Sequence, residues 1–212
     1  MYMGMKLLSL IALFVILSFS SYASMAEGVI YFKDGTSVRY DGKDRIVLPK
    51  GSSSVKCYRH AYSSSKEKMV YTTASVDSIV FWHPAAAEYK RTLVPVRSVG
   101  WCWVYVDAPC IRAYIFSKKG YGVSANGGMS TLSVVYPSGR SSRVAFYLRK
   151  SGDDDVFPLG GVYKRSGDSF RDRICDYIAD DPGLCDKVRR SSSVRSKTVS
   201  MLAGYRSGNS NK

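Results

Sequence analysis

The sequence is poor in the residues from which most enzyme sites are built. Its 212 residues include two histidines, and glutamate occurs only at Glu27, Glu67 and Glu88. It also lacks the short motifs of serine hydrolases, zinc peptidases, P-loop proteins and dinucleotide-binding folds. We therefore predict no catalytic residue, no metal site and no cofactor. A hydrolase or thiol enzyme with an unrecognised Cys/His or Asp-based site is the alternative.

The sequence has only one long apolar run, and it lies at the N-terminus. This run, residues 7–19, follows the single basic residue Lys6 and precedes small residues around Ala23 and Ala26. That order is typical of a secretory signal peptide. A membrane-spanning helix needs about 20 apolar residues, so no transmembrane anchor is expected after cleavage. We predict a signal peptide over residues 1–26, cleaved near Ala23 or Ala26, and export to the periplasm or cell surface.

Acidic residues are missing from the C-terminal end, where none follows Asp186. The formal net charge of the chain is +14, and a basic exported protein is attracted to polyanions. The expected partners are an anionic polysaccharide, a lipid head group or an acidic protein, and nucleic acid is not expected. The basic side chains near this end either stay solvated or bind a partner. The partner-binding candidates are Arg189, Arg190, Arg195 and Lys197.

Short β-rich runs separated by turn residues fill residues 27–165. Asp34-Gly35 and Asp41-Gly42 each lie between two such runs, which is a strong signal for a hairpin. Residues 83–95 are a candidate connection between two β units, with a possible sub-boundary near residues 84–95. The glycine-rich stretch of residues 120–130 is predicted to be a mobile loop, because no helix follows it.

The pattern changes after residue 165. Phe170, Ile174 and Ile178 recur every four residues opposite a row of aspartates, which predicts an amphipathic helix. Asp181 and Pro182 predict the N-cap and first residue of a second helix, and a third follows. We expect the aspartates to face water or the basic last helix rather than a metal ion. The predicted fold is α+β: an antiparallel β-rich body over residues 27–165, and two or three short C-terminal helices with a basic tail over 166–212.

The stretch from Gly100 to Phe116 concentrates aromatic side chains. A two-residue turn at Asp107-Ala108 would place Trp103 and Arg112 opposite each other and gather one aromatic face. This face either packs against a second layer, such as the C-terminal helices, or forms an exposed platform for sugar rings. The ligand-binding candidates are Trp101, Trp103, Tyr105, Arg112 and Tyr114.

Five cysteines in an exported chain predict some disulfide formation and at least one remaining thiol. Cys175 and Cys185 lie on successive predicted helices and are the disulfide candidates. The alternative of a thiol enzyme would need a cysteine of lowered pKa beside His60 or His83.

The β runs, the segment "FYLRKSGDDDVFPLGG" and the ending "SFRDRICDYIADDPGLCDKVRR" resemble small exported proteins of Bacteroidetes type that have no assigned activity. The resemblance is one of layout and extends over most of the mature chain. It implies an envelope location and a non-enzymatic role, and it assigns no site residue. The function predicted from the sequence is a binding or interaction protein of the periplasm or cell surface.

Overall fold

The structure is a computed structural model that describes residues 25–132, 143–163 and 165–207. The first seven strands are β1 Met25–Phe32, β2 Ser37–Tyr40, β3 Arg45–Val47, β4 Val55–Arg59, β5 Glu67–Tyr71, β6 Val76–His83 and β7 Ala86–Val96. The next six are β8 Gly100–Asp107, β9 Ile111–Ser117, β10 Tyr121–Val123, β11 Met129–Thr131, β12 Val144–Lys150 and β13 Phe157–Gly161. The helices are α1 Asp168–Tyr177, α2 Pro182–Arg190 and α3 Arg195–Ser200, and a 3₁₀ helix follows over Met201–Gly204.

Eleven of the strands form one antiparallel sheet. Its order is β13-β12-β9-β8-β7-β6-β1-β3-β4-β5, and β2 pairs with β1 beside this path. Strands β10 and β11 form a separate two-stranded sheet. This β-rich architecture with short C-terminal helices confirms the predicted α+β class. Within the described ranges, no helix is both long enough and apolar enough to cross a membrane.

The two aspartate–glycine pairs have different roles. Asp34-Gly35 lies in the hairpin between β1 and β2, as predicted. The prediction of a second hairpin at Asp41-Gly42 is wrong, because β2 and β3 follow one another along the same edge of β1. Arg45 is buried and stabilises the connection between β2 and β3. It donates a hydrogen bond to the Gly42 carbonyl at 2.7 Å and forms an ion pair with Glu27 at 3.2 Å.

Strand β7 occupies the segment that was expected to connect two β units. It pairs with β6 on one side and β8 on the other, so the sheet continues through the predicted sub-boundary. The first half of β7 lacks the apolar pattern of a central strand, because residues 87–90 are exposed and mostly polar. Leu93 in the second half is fully buried and pairs with both Ile79 and Trp103.

Two large hydrophobic cores lie along the sheet. One is built from β1, β2, β3, β4, β6 and β10 with single residues of β7 and β8, and includes Ile30 and Ile79. The other lies between β8, β9 and β12 and the C-terminal helices, and includes Phe146 and Phe170. Trp103 packs against both cores, which places its side chain at their junction.

The C-terminal helices follow the sequence pattern closely. The predicted stripe of Phe170, Ile174 and Ile178 is buried, with exposures of 2% or less, and α1 ends at Tyr177. The Asp181 side chain accepts a hydrogen bond from the Leu184 amide at 3.0 Å, so it caps α2 as predicted. These helices cover the β8–β9–β12 part of the sheet and hide one of its faces.

Candidate functional site

The β8–β9 hairpin contains most of the predicted ligand-binding residues, but its register differs from the predicted one. The turn is at Pro109-Cys110 rather than Asp107-Ala108, because Ala108 and Ile111 exchange backbone hydrogen bonds. Tyr105 is an extra residue in a bulge of β8. The new turn alone would place Trp103 opposite Phe116, and the one-residue bulge places it opposite Ile115 instead of the predicted Arg112. The net shift is three residues, and an odd shift changes which side chains share a face.

The predicted single aromatic face is therefore divided, and three of its members lie elsewhere. Trp101 is fully buried in the first core, where its indole donates to the Ser53 carbonyl at 2.8 Å. Arg112 and Tyr114 are on the other face of the hairpin. Arg112 is exposed and pairs with Asp107 at 2.7 Å. Tyr114 is fully buried, and burial raises its pKa.

Trp103 and Tyr105 stay together on the face that meets the C-terminal helices. Their rings are edge to face, with centroids 5.3 Å apart. The Tyr105 hydroxyl donates to the Ser196 carbonyl at 3.2 Å and so ties the start of α3 to the sheet. Burial raises the pKa of Tyr105. For this pair, the expectation of packing against the helical layer is met, but both side chains remain only partly buried.

These two aromatic side chains form the floor of a groove of about 730 Å³. Ile115 completes the floor from the neighbouring strand β9. One wall is the β10–β11 hairpin, which contributes Met129 and Thr131. The groove therefore lies where the two hydrophobic cores meet, beside the junction residue Trp103.

The opposite wall comes from the chain on both sides of α1 and α2. It contains Val162 and Tyr163 after β13, and Val194 at the start of α3. The Tyr163 hydroxyl is hydrogen-bonded to the Thr131 hydroxyl, which links the two walls. Tyr163 is 67% exposed and Val194 is 50% exposed, so large apolar side chains remain accessible at the rim.

The groove has a charged side chain at one position of its described lining. Among the described residues that line it, Arg165 is the only charged one. The Arg165 backbone carbonyl accepts a hydrogen bond from Arg195 at 3.3 Å. The Arg165 guanidinium makes no ion pair within the described part of the chain. The groove therefore combines an apolar interior with one unpaired positive charge.

The sequence did not reveal the β10–β11 wall, because residues 120–130 were predicted to be a mobile loop. The structure shows a hairpin whose turn is closed by two bonds, from Ser124 N to the Gly128 carbonyl and from Gly127 N to the Ser124 carbonyl, both 2.9 Å. The signal that could have found it is Asn126-Gly127, a turn pair with β-forming residues on both sides.

The basic partner-binding candidates are mostly engaged within the protein. Arg189 and Arg190 lie within 4.0 Å and 3.9 Å of helical aspartates. Arg195 donates to a β13 carbonyl at 2.7 Å and stacks over Phe170, 4.2 Å from its ring centre. Lys197 is exposed and has no ion pair in the described ranges. Arg195 thus has a structural role that its position in the basic tail did not predict.

The disulfide candidates Cys175 and Cys185 are brought together by α1 and α2. Both are buried free thiols, and each Sγ lies 3.5 Å from the backbone carbonyl of the other residue. Burial raises the pKa of Cys175 to about 11, and it raises the pKa of Cys57 and Cys102 to about 12. A nucleophilic cysteine needs the opposite shift.

The aspartates of the first helix are exposed, in agreement with the expectation that they face water. Asp168 pairs with Arg171, and Asp180 pairs with Lys150 at 2.7 Å. In the parts of the chain that the structure describes, no three His, Cys, Asp or Glu residues form a group that could hold a metal ion.

No known relative guides the interpretation of this groove. The sequence matches no protein-family model, and neither curated proteins nor solved structures match it. Its function has to be inferred from the side chains that line it.

Proposed function

We propose that this is an exported binding protein whose groove takes a ligand with an extended apolar body and one anionic group, such as a long-chain carboxylate. The observation that carries the proposal is the apolar groove of about 730 Å³ in which Arg165 is the only charged side chain among the described lining residues. Small-molecule sites are typically pockets of about 300–1,000 Å³ that are mostly apolar and have a few polar groups. An acyl chain would cover Trp103 and Tyr105 while its carboxylate meets the Arg165 guanidinium.

The lining favours this ligand over a polysaccharide. A sugar chain needs many hydrogen-bond partners, and most of the hydroxyls that line the groove are already engaged. Ser130 donates to the Gly122 carbonyl at 3.4 Å, and the Thr131 and Tyr163 hydroxyls bond to each other. Of the partner classes expected from the sequence, the groove is therefore closest to a lipid.

The first test is calorimetric titration with a series of straight-chain carboxylates from octanoate to dodecanoate. Each added CH₂ contributes about 0.8 kcal/mol when buried, which is roughly a fourfold gain in affinity. We expect this gain to continue until the groove is full. Affinity that does not depend on chain length would contradict an apolar groove.

Variants then test which residue binds the anionic group of the ligand and which binds its apolar chain. Arg165→Gln should weaken dodecanoate binding and leave dodecanol binding unchanged, whereas Trp103→Ala should weaken both. Arg189→Gln is the matched control, because Arg189 is an arginine away from the groove and should change neither. Equal affinity for dodecanoate and dodecyltrimethylammonium would rule out the anion preference.

Export remains part of the proposal, and the fold favours one of the two cleavage positions. Strand β1 begins at Met25, and Ala26 is fully buried and paired with Ile46 of β3. Cleavage after Ala26 would remove the pairing of β1 with β3, so we place cleavage after Ala23. Intact mass of the exported protein should show a chain that begins at Ser24, and a chain that begins at Glu27 would contradict this.

A further inference from the structure

A second concave site lies on the β-sheet part of the molecule; it meets the same β10–β11 hairpin as the groove but shares no described lining residue with it. Three lysines from separate parts of the chain line a cleft of about 250 Å³: Lys50 after β3, Lys56 in β4 and Lys119 between β9 and β10. Ser53 and Ser54 add two hydroxyl groups. We propose that this cleft binds the sulfate or carboxylate groups of an acidic polysaccharide.

The backbone fixes the position of the lysines. Gly120 has a φ of +100°, and a Cβ on it would lie 3.1 Å from the Lys50 Cβ, so the two lysine-bearing turns pack directly together. The Lys50 amide donates to the Ser53 Oγ at 3.2 Å, and the Gly51 carbonyl accepts from the Trp101 amide at 2.8 Å. These contacts form the cleft without a ligand.

Its charge is not compensated by the protein. None of the described residues that line the cleft is acidic, and none of the three lysines forms an ion pair in the described ranges. Positive charges that line one cleft without acidic neighbours attract an anion to it.

The shape and chemistry favour an acidic polysaccharide over the other polyanions. The cleft is smaller than a typical drug-sized pocket, so it fits one charged group or sugar unit at a time. Tyr121, the one aromatic residue in the described lining, is fully buried and donates a hydrogen bond to the Trp101 carbonyl at 2.7 Å, so it offers no face on which a base could stack. The Ser53 hydroxyl, which accepts from the Lys50 amide, can still donate its own proton to an anion.

The test compares two variants with the same change in net charge. The first carries Lys50→Gln, Lys56→Gln and Lys119→Gln. The control carries Lys43→Gln, Lys68→Gln and Lys187→Gln at exposed lysines that do not line the cleft. Binding of dextran sulfate and of polygalacturonate is measured in low salt.

We expect the cleft variant to lose roughly tenfold in affinity for both polymers and the control variant to lose roughly twofold or less. The cleft variant should unfold at about the same temperature as the wild type, because none of the three lysines forms an ion pair in the described ranges. It should also bind dodecanoate normally, so a failure of this proposal is distinct from a failure of the groove.

Equal loss in the two variants would mean that only net charge attracts the polymers, and it would overturn the site. Vesicles of phosphatidylglycerol and duplex DNA serve as the other polyanions. If either binds more tightly than both polysaccharides and depends on the cleft lysines, the polysaccharide assignment is overturned.

Discussion

The groove beside Trp103 and the cleft beside Lys119 belong to one β-rich body, but they offer a ligand opposite physical chemistry. The described lining of the groove is mainly apolar and contains one arginine. The cleft is smaller, and its described lining contains three lysines and no acidic residue. A ligand in the groove gains mainly from leaving water, whereas a ligand in the cleft gains mainly from charge attraction.

The two sites share the β10–β11 hairpin but otherwise depend on different parts of the fold. One groove wall contains Val194 and therefore requires the C-terminal helices to be in place. The cleft uses only strands and turns of the sheet region. A substitution that disrupts the helical layer should therefore weaken ligand binding in the groove more than in the cleft.

The largest expected effect comes from removing a core side chain of α1. Ile174 is fully buried in the second core, and Ile174→Ala should lower the free energy of unfolding by about 2–5 kcal/mol. Under conditions where the variant is still folded, dodecanoate binding should weaken more than dextran sulfate binding. Denaturant unfolding measures the first effect and titration the second. Ile174→Val, expected to cost about 0.5–1.5 kcal/mol, is the milder control.

A disulfide between Cys175 and Cys185 should have the next largest effect, and it should stabilise the packing of α1 against α2. With glutathione disulfide as oxidant, the two thiols form one disulfide and release two molecules of glutathione. Closing a loop of this length stabilises a protein by about 2–3 kcal/mol. Peptide mapping without reductant should identify the bond, and thermal unfolding should show the gain. The Cys175→Ser variant should show neither, and a map that pairs Cys175 with another cysteine would contradict the arrangement of α1 and α2.

Salt should change the ligand affinities of the two sites by different amounts, and this effect should be smaller than the two above. Raising sodium chloride from 50 to 500 mM shortens the screening length from about 14 Å to about 4 Å. Binding of dextran sulfate should weaken by roughly tenfold or more, while dodecanoate binding should change by less than about threefold. Parallel titrations at both salt concentrations measure this. Equal salt dependence would mean that the groove also binds mainly through charge.

The smallest expected effect is a loss of stability in acid. Burial alone would raise the pKa of Asp180, but hydrogen bonds from Lys150 and Tyr205 outweigh it and lower the pKa to about 2. Because the unfolded state takes up this proton first, the contribution is complete above about pH 4 and is lost as the pH falls toward 2. The carboxylate is 36% exposed, so solvent screening keeps the contribution below about 1 kcal/mol.

Denaturant unfolding between pH 5 and pH 2 measures this contribution. Asp180→Asn should flatten part of the acid slope, whereas Asp176→Asn, at an exposed position of α1, should leave it unchanged. Identical slopes for the wild type and both variants would show that the contacts of Asp180 do not stabilise the folded state.

The features that the sequence predicted well are those fixed by neighbouring residues. The spacing of Phe170, Ile174 and Ile178 predicts the buried stripe of α1, and Asp181 predicts the cap of α2. Such signals need no knowledge of the rest of the chain, because a helix repeats its faces every three to four residues.

The sites were harder to predict because they depend on distant contacts. One bulge at Tyr105 changed which side chains share a face with Trp103, and nothing local in the sequence indicates a bulge there. Lys50 and Lys119 meet only because their turns pack together in the folded sheet. The aromatic part of the groove was thus found in part from sequence, whereas the lysine cleft was not.

The most direct test of the groove is fluorescence quenching by 11-bromoundecanoate. Bromine quenches tryptophan on contact, and the chain has three tryptophans, of which only Trp103 lines the groove. The protein should lose a saturable part of its emission, and Trp103→Phe should abolish that loss while the emission of Trp82 and Trp101 remains. Equal quenching of the wild type and Trp103→Phe would place the ligand elsewhere and contradict the proposed function.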